Sequence, residues 1–216
     1  MSEQAAVRAA GAADVEAAVG IWTLSHVVRR NGRPLPEAHI ALARGRMSAP
    51  GALLLLARTH QSAGSEIWVD SATDRVAVND RDMDDRIADD GTVDGRTADA
   101  SATGEEPSER ALVVGTILGM QGLDQDGAGP PVPGLLHISL LSVAPDHWGQ
   151  RIGRLLVDQV LDRAWARGFE QAQLWTHADN LRANRLYKAI GFRRSGRVRI
   201  DDWGELLVQY RRPIRG

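Results

Sequence analysis

The residues best suited to chemistry lie between Val143 and Phe192, in the runs V-A-P-D-H-W-G-Q-R-I-G-R-L-L and Q-L-W-T-H-A-D-N-L-R-A-N-R-L-Y-K-A-I-G-F. Their spacing predicts a strand end, a glycine-containing loop, a helix, a second strand and a second helix. A strand that turns through glycine into a helix presents unpaired backbone N–H groups and the positive end of the helix dipole, which together suit a phosphate. An anionic cofactor is therefore expected at the backbone of Gln150, Arg151, Ile152, Gly153 and Arg154, with Gly149 and Gly153 allowing close approach. A positive φ at Arg151 would strain it by about 1–2 kcal/mol, and its guanidinium could instead add a direct phosphate contact. Asn180 has two readings, a helix N-cap or a side-chain contact to the cofactor, and both can hold together.

These residues need a scaffold, and the preceding chain supplies its elements. Val7 to Ala9 reads as a short strand, and Asp14 as the N-cap of a helix with Val15, Ala18, Val19 and Trp22 at helical spacing. Pro36 to Met47 reads as a second helix, stopped by Pro50-Gly51. Ala52 to Arg58 is a buried-type strand, Ala111 to Gln121 a strand broken by Gly115 and Gly119, and Gly122 to Gly134 a loop before the strand Leu135 to Val143. A helix from Ile152 to Arg167 follows, its apolar face including Leu155 and Trp165, then a strand Gln171 to Thr176 and a helix Leu181 to Ile190. Two closing segments, Phe192 to Ile200 and Glu205 to Arg211, flank the turn Asp201-Asp202-Trp203-Gly204. Helices interleaved with strands, with antiparallel pairs at both ends, imply an α/β mixed sheet.

Composition narrows the function classes. The 216 residues suit one domain, 1–216, with an insertion at about 59–109. That insertion is rich in Asp, Ser, Thr, Ala and Gly, and disorder is its expected state, since it has too little apolar surface to offset chain entropy. Its short apolar pieces, Ile67-Trp68-Val69 and Val76-Ala77-Val78, could extend a hairpin. Between Thr59 and Arg110 there are 14 Asp and Glu against 5 Arg, so the rest of the chain is net basic, in keeping with a polyanionic cofactor. The Asp spacing there lacks the glycine and terminal Glu of a calcium loop, and no metal is expected. Basic residues are scattered, without interleaved aromatics, which argues against nucleic acid. The longest apolar run, Ala52 to Ala57, is too short for a membrane span, and no signal-type leader is present, so a cytoplasmic location is the default expectation. The absence of cysteine excludes disulfides, a thiolate nucleophile and Cys-type zinc sites.

The chain resembles the GNAT superfamily of acyl-CoA N-acyltransferases. Its segment N-x-x-A-x-x-L-Y-x-x-x-G-F is complete, from Asn180, Ala183, Leu186 and Tyr187 to Gly191-Phe192. The family's Q/R-x-x-G-x-G/A loop is partial, with Trp148 and Arg151 departing from it and Gly153 matching. The resemblance covers roughly Leu135 to Arg211 and implies a mostly antiparallel mixed sheet flanked by helices. Within that sheet a parallel strand pair would splay apart, so that backbone groups of Leu141, Ser142 and Val143 bind the pantetheine arm of acetyl-CoA. It implies that Tyr187 protonates the departing thiolate, whose conjugate acid has a pKa of about 8.5. It also places His137 where histone-acetylating relatives have a glutamate base, with His177, Asp179, Asp202 and Glu205 as alternatives. The implied activity is direct acetyl transfer from acetyl-CoA to a primary amine of a small molecule or protein, without a Cys acyl-enzyme. The rival is a non-catalytic acyl-CoA-binding module. Acceptor identity and oligomeric state stay open, a homodimer among the options.

Overall fold

The computed structural model describes residues 5–60 and 111–215. The acidic stretch, with Ile67 to Val69 and Val76 to Val78, lies outside them. The strands are β1 (Ala6–Ala9), β2 (Leu53–His60), β3 (Ala111–Leu123), β4 (Pro131–Val143), β5 (Gln171–His177), β6 (Arg193–Ile200) and β7 (Leu206–Pro213). The helices are α1 (Val15–Arg29), α2 (Glu37–Met47), α3 (Ile152–Trp165) and α4 (Leu181–Ala189). One sheet of order β1-β2-β3-β4-β5-β7-β6 holds all the strands, and every neighbouring pair is antiparallel except β4 with β5. No helix among the described residues is long and apolar enough to cross a membrane.

The run A-L-L-L-L-A explains the layering. Leu53, Leu55 and Ala57 face a core built on Ile152, Leu156, Val157 and Val160 of α3, whereas Leu54 and Leu56 face Val15, Val19 and Trp22 of α1 and Met47 of α2. Successive strand residues point to opposite faces, so a strand covered on both sides reads as continuously apolar. Each fully buried leucine contributes about 1.5–3 kcal/mol of transfer free energy.

Several boundaries differ from the sequence expectation, each for a local reason. β3 runs unbroken through Gly115 and Gly119, because these glycines make room for neighbours: a Cβ at Gly115 would lie 3.0 Å from a Leu156 methyl, and one at Gly119 3.0 Å from Leu136 and 3.1 Å from Val160. β4 begins at Pro131, since Pro131 already opposes Leu123, and this shortens the expected Gly122 to Gly134 loop. Thr59 and His60, grouped with the insertion by composition, complete β2. Trp165 leaves the core at 40% exposure, with the Arg215 guanidinium 5.1 Å from its ring centre. Asp14 occupies the N-cap position of α1 without capping it. Its carboxylate instead binds Arg8 at 2.5 Å, Arg58 at 3.3 Å and the Gly11 N–H at 2.8 Å, and the Arg8 partner holds its pKa down at about 2.

Candidate active site

The sheet opens where β4 and β5 part. Their parallel ladder covers only Leu135–Ile138 against Gln171–Leu174, although β4 continues to Val143 and β5 to His177. A bulge sits at the same point, since Leu118 opposes Leu140 and Gly119 opposes Ile138, leaving Ser139 as the extra residue. The extra residue reverses the alternation of faces: Leu136 and Ile138 belong to the α3 core, and beyond the bulge Leu141 and Val143 do, while Leu140 packs on the α1 side. The gap between the strands forms a cavity of about 1110 Å³.

At one end of the cavity, a short 3-10 turn (Pro145–His147) leads into the loop before α3. Gly149 has φ 84° and Arg151 φ 62°, so Arg151 is a non-glycine residue in the left-handed region, as the loop alignment suggested it could be. Arg151 stands at the N-cap of α3 without a side-chain cap, and the first turn carries no acid, which leaves the leading amides of α3 open to an anion. Gly153 is needed for a second reason: a Cβ there would meet Leu186 of α4 at 3.2 Å. Trp148 donates its indole N–H to the Val143 carbonyl at 2.8 Å, and Arg182 lies 3.8 Å over the Trp148 ring. Ser25 also donates to the Val143 carbonyl, at 2.9 Å. Leu141, Ser142, Val143, Arg151, Ile152, Gly153, Arg154, Asn180 and Tyr187 all lie on the cavity wall. Gln150 lies off it, its amide reaching back to the Asp146 carbonyl at 3.4 Å.

α4 places the phenol. Asn180 caps α4, its carboxamide oxygen accepting from the Ala183 N–H at 3.1 Å. Tyr187 is 6% exposed, packs edge-on against Phe192 at 5.8 Å between ring centres, and lies 6.0 Å from the ring centre of Tyr210. Its hydroxyl makes no hydrogen bond among the described residues, and burial pushes its pKa up. Sequence reading missed Asn184, whose buried Nδ2 reaches the carbonyls of Asn180 at 2.7 Å, His177 at 3.0 Å and Ala178 at 3.3 Å, while its Oδ1 accepts from Tyr210 at 2.8 Å. This carboxamide ties α4 to the end of β5 and to β7. Asn184→Ala leaves buried groups unpaired, so unfolding stability should fall by about 2–3 kcal/mol in urea titration, whereas a loss under about 0.5 kcal/mol would mean that the tie carries little.

The candidate bases have contrasting surroundings. His137 of β4 is half-buried, with Nδ1 buried and unbonded, and desolvation followed by the charges of Arg46 and Arg199 lowers its pKa to about 4. It is a neutral but weakly basic ring. His177, at the end of β5 and also on the cavity wall, faces two carboxylates, with Nε2 3.1 Å from Asp201 and 3.2 Å from Glu205. Asp201 is fixed by the hairpin it closes, accepting from the N–H groups of Trp203 at 3.0 Å and Glu205 at 2.8 Å. Arg29 and Arg30 approach Glu205 at 2.5 and 3.5 Å. Those guanidiniums already neutralise Glu205, so His177, Asp201 and Glu205, though near enough to share an ion, read better as an oriented imidazole than as a metal centre. Asp179 and Asp202 are 81% and 91% exposed, facing Arg29 and His39 respectively. The last turn of α1 supplies Ser25, His26 and Arg29 to the wall. A cluster of polar residues at the end of an otherwise apolar helix was the available sequence signal for them.

Comparisons with known proteins identify the family and the fold. The model of the acetyltransferase (GNAT) family matches residues 66–192, more than half of the chain, and the chain belongs to that family. A curated relative, the mycothiol acetyltransferase of Beutenbergia cavernae, is 40% identical over 55 residues, 26% of this chain and 18% of the length of that relative. Among solved structures, the ribosomal-protein-S18-alanine N-acetyltransferase of Escherichia coli superposes with a TM-score of 0.56 at 16% identity, covering 98% of this chain and 94% of that one. The NatC complex bound to Gag peptide and CoA superposes with a TM-score of 0.58 at 13% identity, covering 97% and 98%. At these identities the structural likeness concerns the fold.

Proposed function

We infer that this chain transfers an acetyl group from acetyl-CoA directly to a primary amine. The observation that carries the reading is the gap between β4 and β5, with open α3 amides at one end and the Tyr187 phenol on its wall. Acetyl-CoA fits the gap chemically: a pyrophosphate suits the uncapped turn Arg151–Arg154, and an amide-bearing arm suits an unpaired strand edge. Because the Val143 carbonyl is engaged by Ser25 and Trp148, the pairing falls to the backbone of Leu141 and to the Val143 N–H. When bound, acetyl-CoA supplies a thioester carbonyl and a thiolate leaving group. Tyr187 donates its proton toward the sulfur. His177, with Nε2–H held by Asp201 and Nδ1 unbonded, takes the ammonium proton that must leave before the amine can attack. His137 is less suited to that task, since desolvation, and after it the charges of two guanidiniums, oppose its protonation. The chain has no cysteine to carry an acyl group, which favours a ternary complex.

Acetyl-CoA at about 100 Kd should add about 2.7 kcal/mol to stability by mass action. A melting scan reads this, and a free-thiol assay with a panel of amines and peptides reads turnover. No melting shift would count against cofactor binding. A shift without thiol release from any acceptor would favour a non-catalytic acyl-CoA-binding module.

A further inference from the structure

The last turn of α1 brings to the cavity an imidazole that the transfer scheme leaves unused. His26 lies on the cavity wall, and its ring packs on Trp22, the ring centres 4.5 Å apart. Its Nδ1 is 2.9 Å from the Trp22 carbonyl of the preceding turn. A carbonyl can only accept, so Nδ1 carries the proton and Nε2 keeps its lone pair. Nε2 has no hydrogen-bond partner among the described residues and is not closed off from solvent. Burial, only partly offset by the Trp22 hydrogen bond, lowers the pKa of His26 to about 4, so the ring stays neutral at neutral pH.

Its helix face places His26 near the transfer centre. Arg29 and Arg30, three and four residues further on, share that face and reach Glu205 at 2.5 and 3.5 Å, while Glu205 lies 3.2 Å from His177. Both imidazoles therefore border the same part of the wall. Asp179, the one carboxylate on the wall among the described residues, is 81% exposed and has Arg29 at 3.6 Å. An amine entering there finds in His26 Nε2 an acceptor that no protein donor occupies.

We propose that His26 binds the acceptor substrate, its Nε2 accepting a hydrogen bond from an N–H of the amine. The inference rests on the acetyl-transfer reading and adds a binding residue to it. An arriving primary ammonium has three N–H groups: one proton passes to the base, and a second N–H donates to His26 and stays on nitrogen. The lone pair so freed attacks the thioester carbonyl. Because the hydrogen bond to His26 is made both before and during attack, it lowers KM for the amine and leaves kcat nearly untouched. It also favours an amine over an alcohol, whose single O–H proton goes to the base and leaves no donor for His26.

The test compares His26→Leu, which removes the acceptor atom, with His26→Gln, whose carboxamide oxygen restores one. Thiol release from acetyl-CoA is read on the full chain with benzylamine, phenylalaninamide and trialanine. For the amines that react, His26→Leu should raise the amine KM about tenfold, the loss of one hydrogen bond to a charged group, with kcat and the KM of acetyl-CoA within about twofold of the parent. His26→Gln should bring the amine KM back to within about threefold, because its oxygen accepts in place of Nε2. Nitrogen NMR of the histidine-labelled chain gives a readout that needs no acceptor: the His26 signals, assigned by their loss in His26→Gln, should show the proton on Nδ1 and a bare Nε2. A protonated Nε2 overturns the proposal, and so does a His26→Gln variant as impaired as His26→Leu. Should His26→Leu lose CoA affinity as well, His26→Gln and the tautomer decide. An unmoved amine KM in His26→Leu, with thiol release intact, removes this inference alone. CoA binding without thiol release from any of these amines sinks the acetyl-transfer reading on which it rests.

Discussion

Tyr187→Phe is expected to lower kcat by about 10²- to 10³-fold, with little change in KM for acetyl-CoA, the range typical of losing a positioned proton donor. The substitution isolates the hydroxyl. The ring sits in the core against Phe192 and Tyr210, and phenylalanine keeps that packing. The hydroxyl has no hydrogen-bond partner among the described residues, so its removal breaks none of their bonds and the melting temperature should stay within a degree or two of the parent's, about 0.5 kcal/mol or less. Burial raises the phenol pKa, so the group stays protonated across any usable assay range. It is therefore a donor throughout, and titration of Tyr187 should not appear in the pH–rate profile. Single-turnover kinetics are the appropriate readout, since slow product release would hide a chemical defect. An unchanged single-turnover rate would falsify the assignment.

His177→Gln should reduce kcat/KM by about 10²-fold for an alkyl amine and flatten its rise with pH, because the acceptor ammonium (pKa about 10.4 for a lysine-type amine) loses its base. An acceptor whose amine is already neutral at the assay pH should lose far less. The control is His137→Gln. With its pKa near 4, His137 is fully deprotonated above pH 6, so replacing it should leave the pH dependence in that range in place. Asp201→Asn should lower kcat/KM by about tenfold, since the imidazole loses the carboxylate that orients it. If His137→Gln abolishes the pH dependence and His177→Gln preserves it, the base lies on β4 instead.

Much of the fold was legible because its local signals agree with one another. Leu53 to Leu56 announce a strand covered on both faces, Ile152, Leu156, Val157 and Val160 a helix packed on it, and the segment Asn180 to Phe192 the capped helix that carries the phenol. Where reading went astray, a partner distant in sequence had decided the matter. Gly115 and Gly119 look like strand breakers until α3 is laid over them, and Asp14 looks like a cap until Arg8 and Arg58 claim its carboxylate. Trp165 follows the apolar pattern of α3 yet is 40% exposed, as the last residue of the helix.

The candidate site divides along the same line. Residue types and spacing determined that a glycine-containing turn precedes a helix, that Arg151 could be forced to positive φ, and that a tyrosine follows a capping asparagine at a fixed interval, since all of these depend on interactions within a few residues. Only the tertiary structure decided the bulge at Ser139 and the parting of β4 from β5, which depend on register against β3. It also decided the electrostatic identity of two histidines that look equivalent in sequence. His137 is set beside the arginines of α2 and β6 and His177 beside the acids of the last hairpin, and a histidine takes its chemistry from the charges that the fold brings to it.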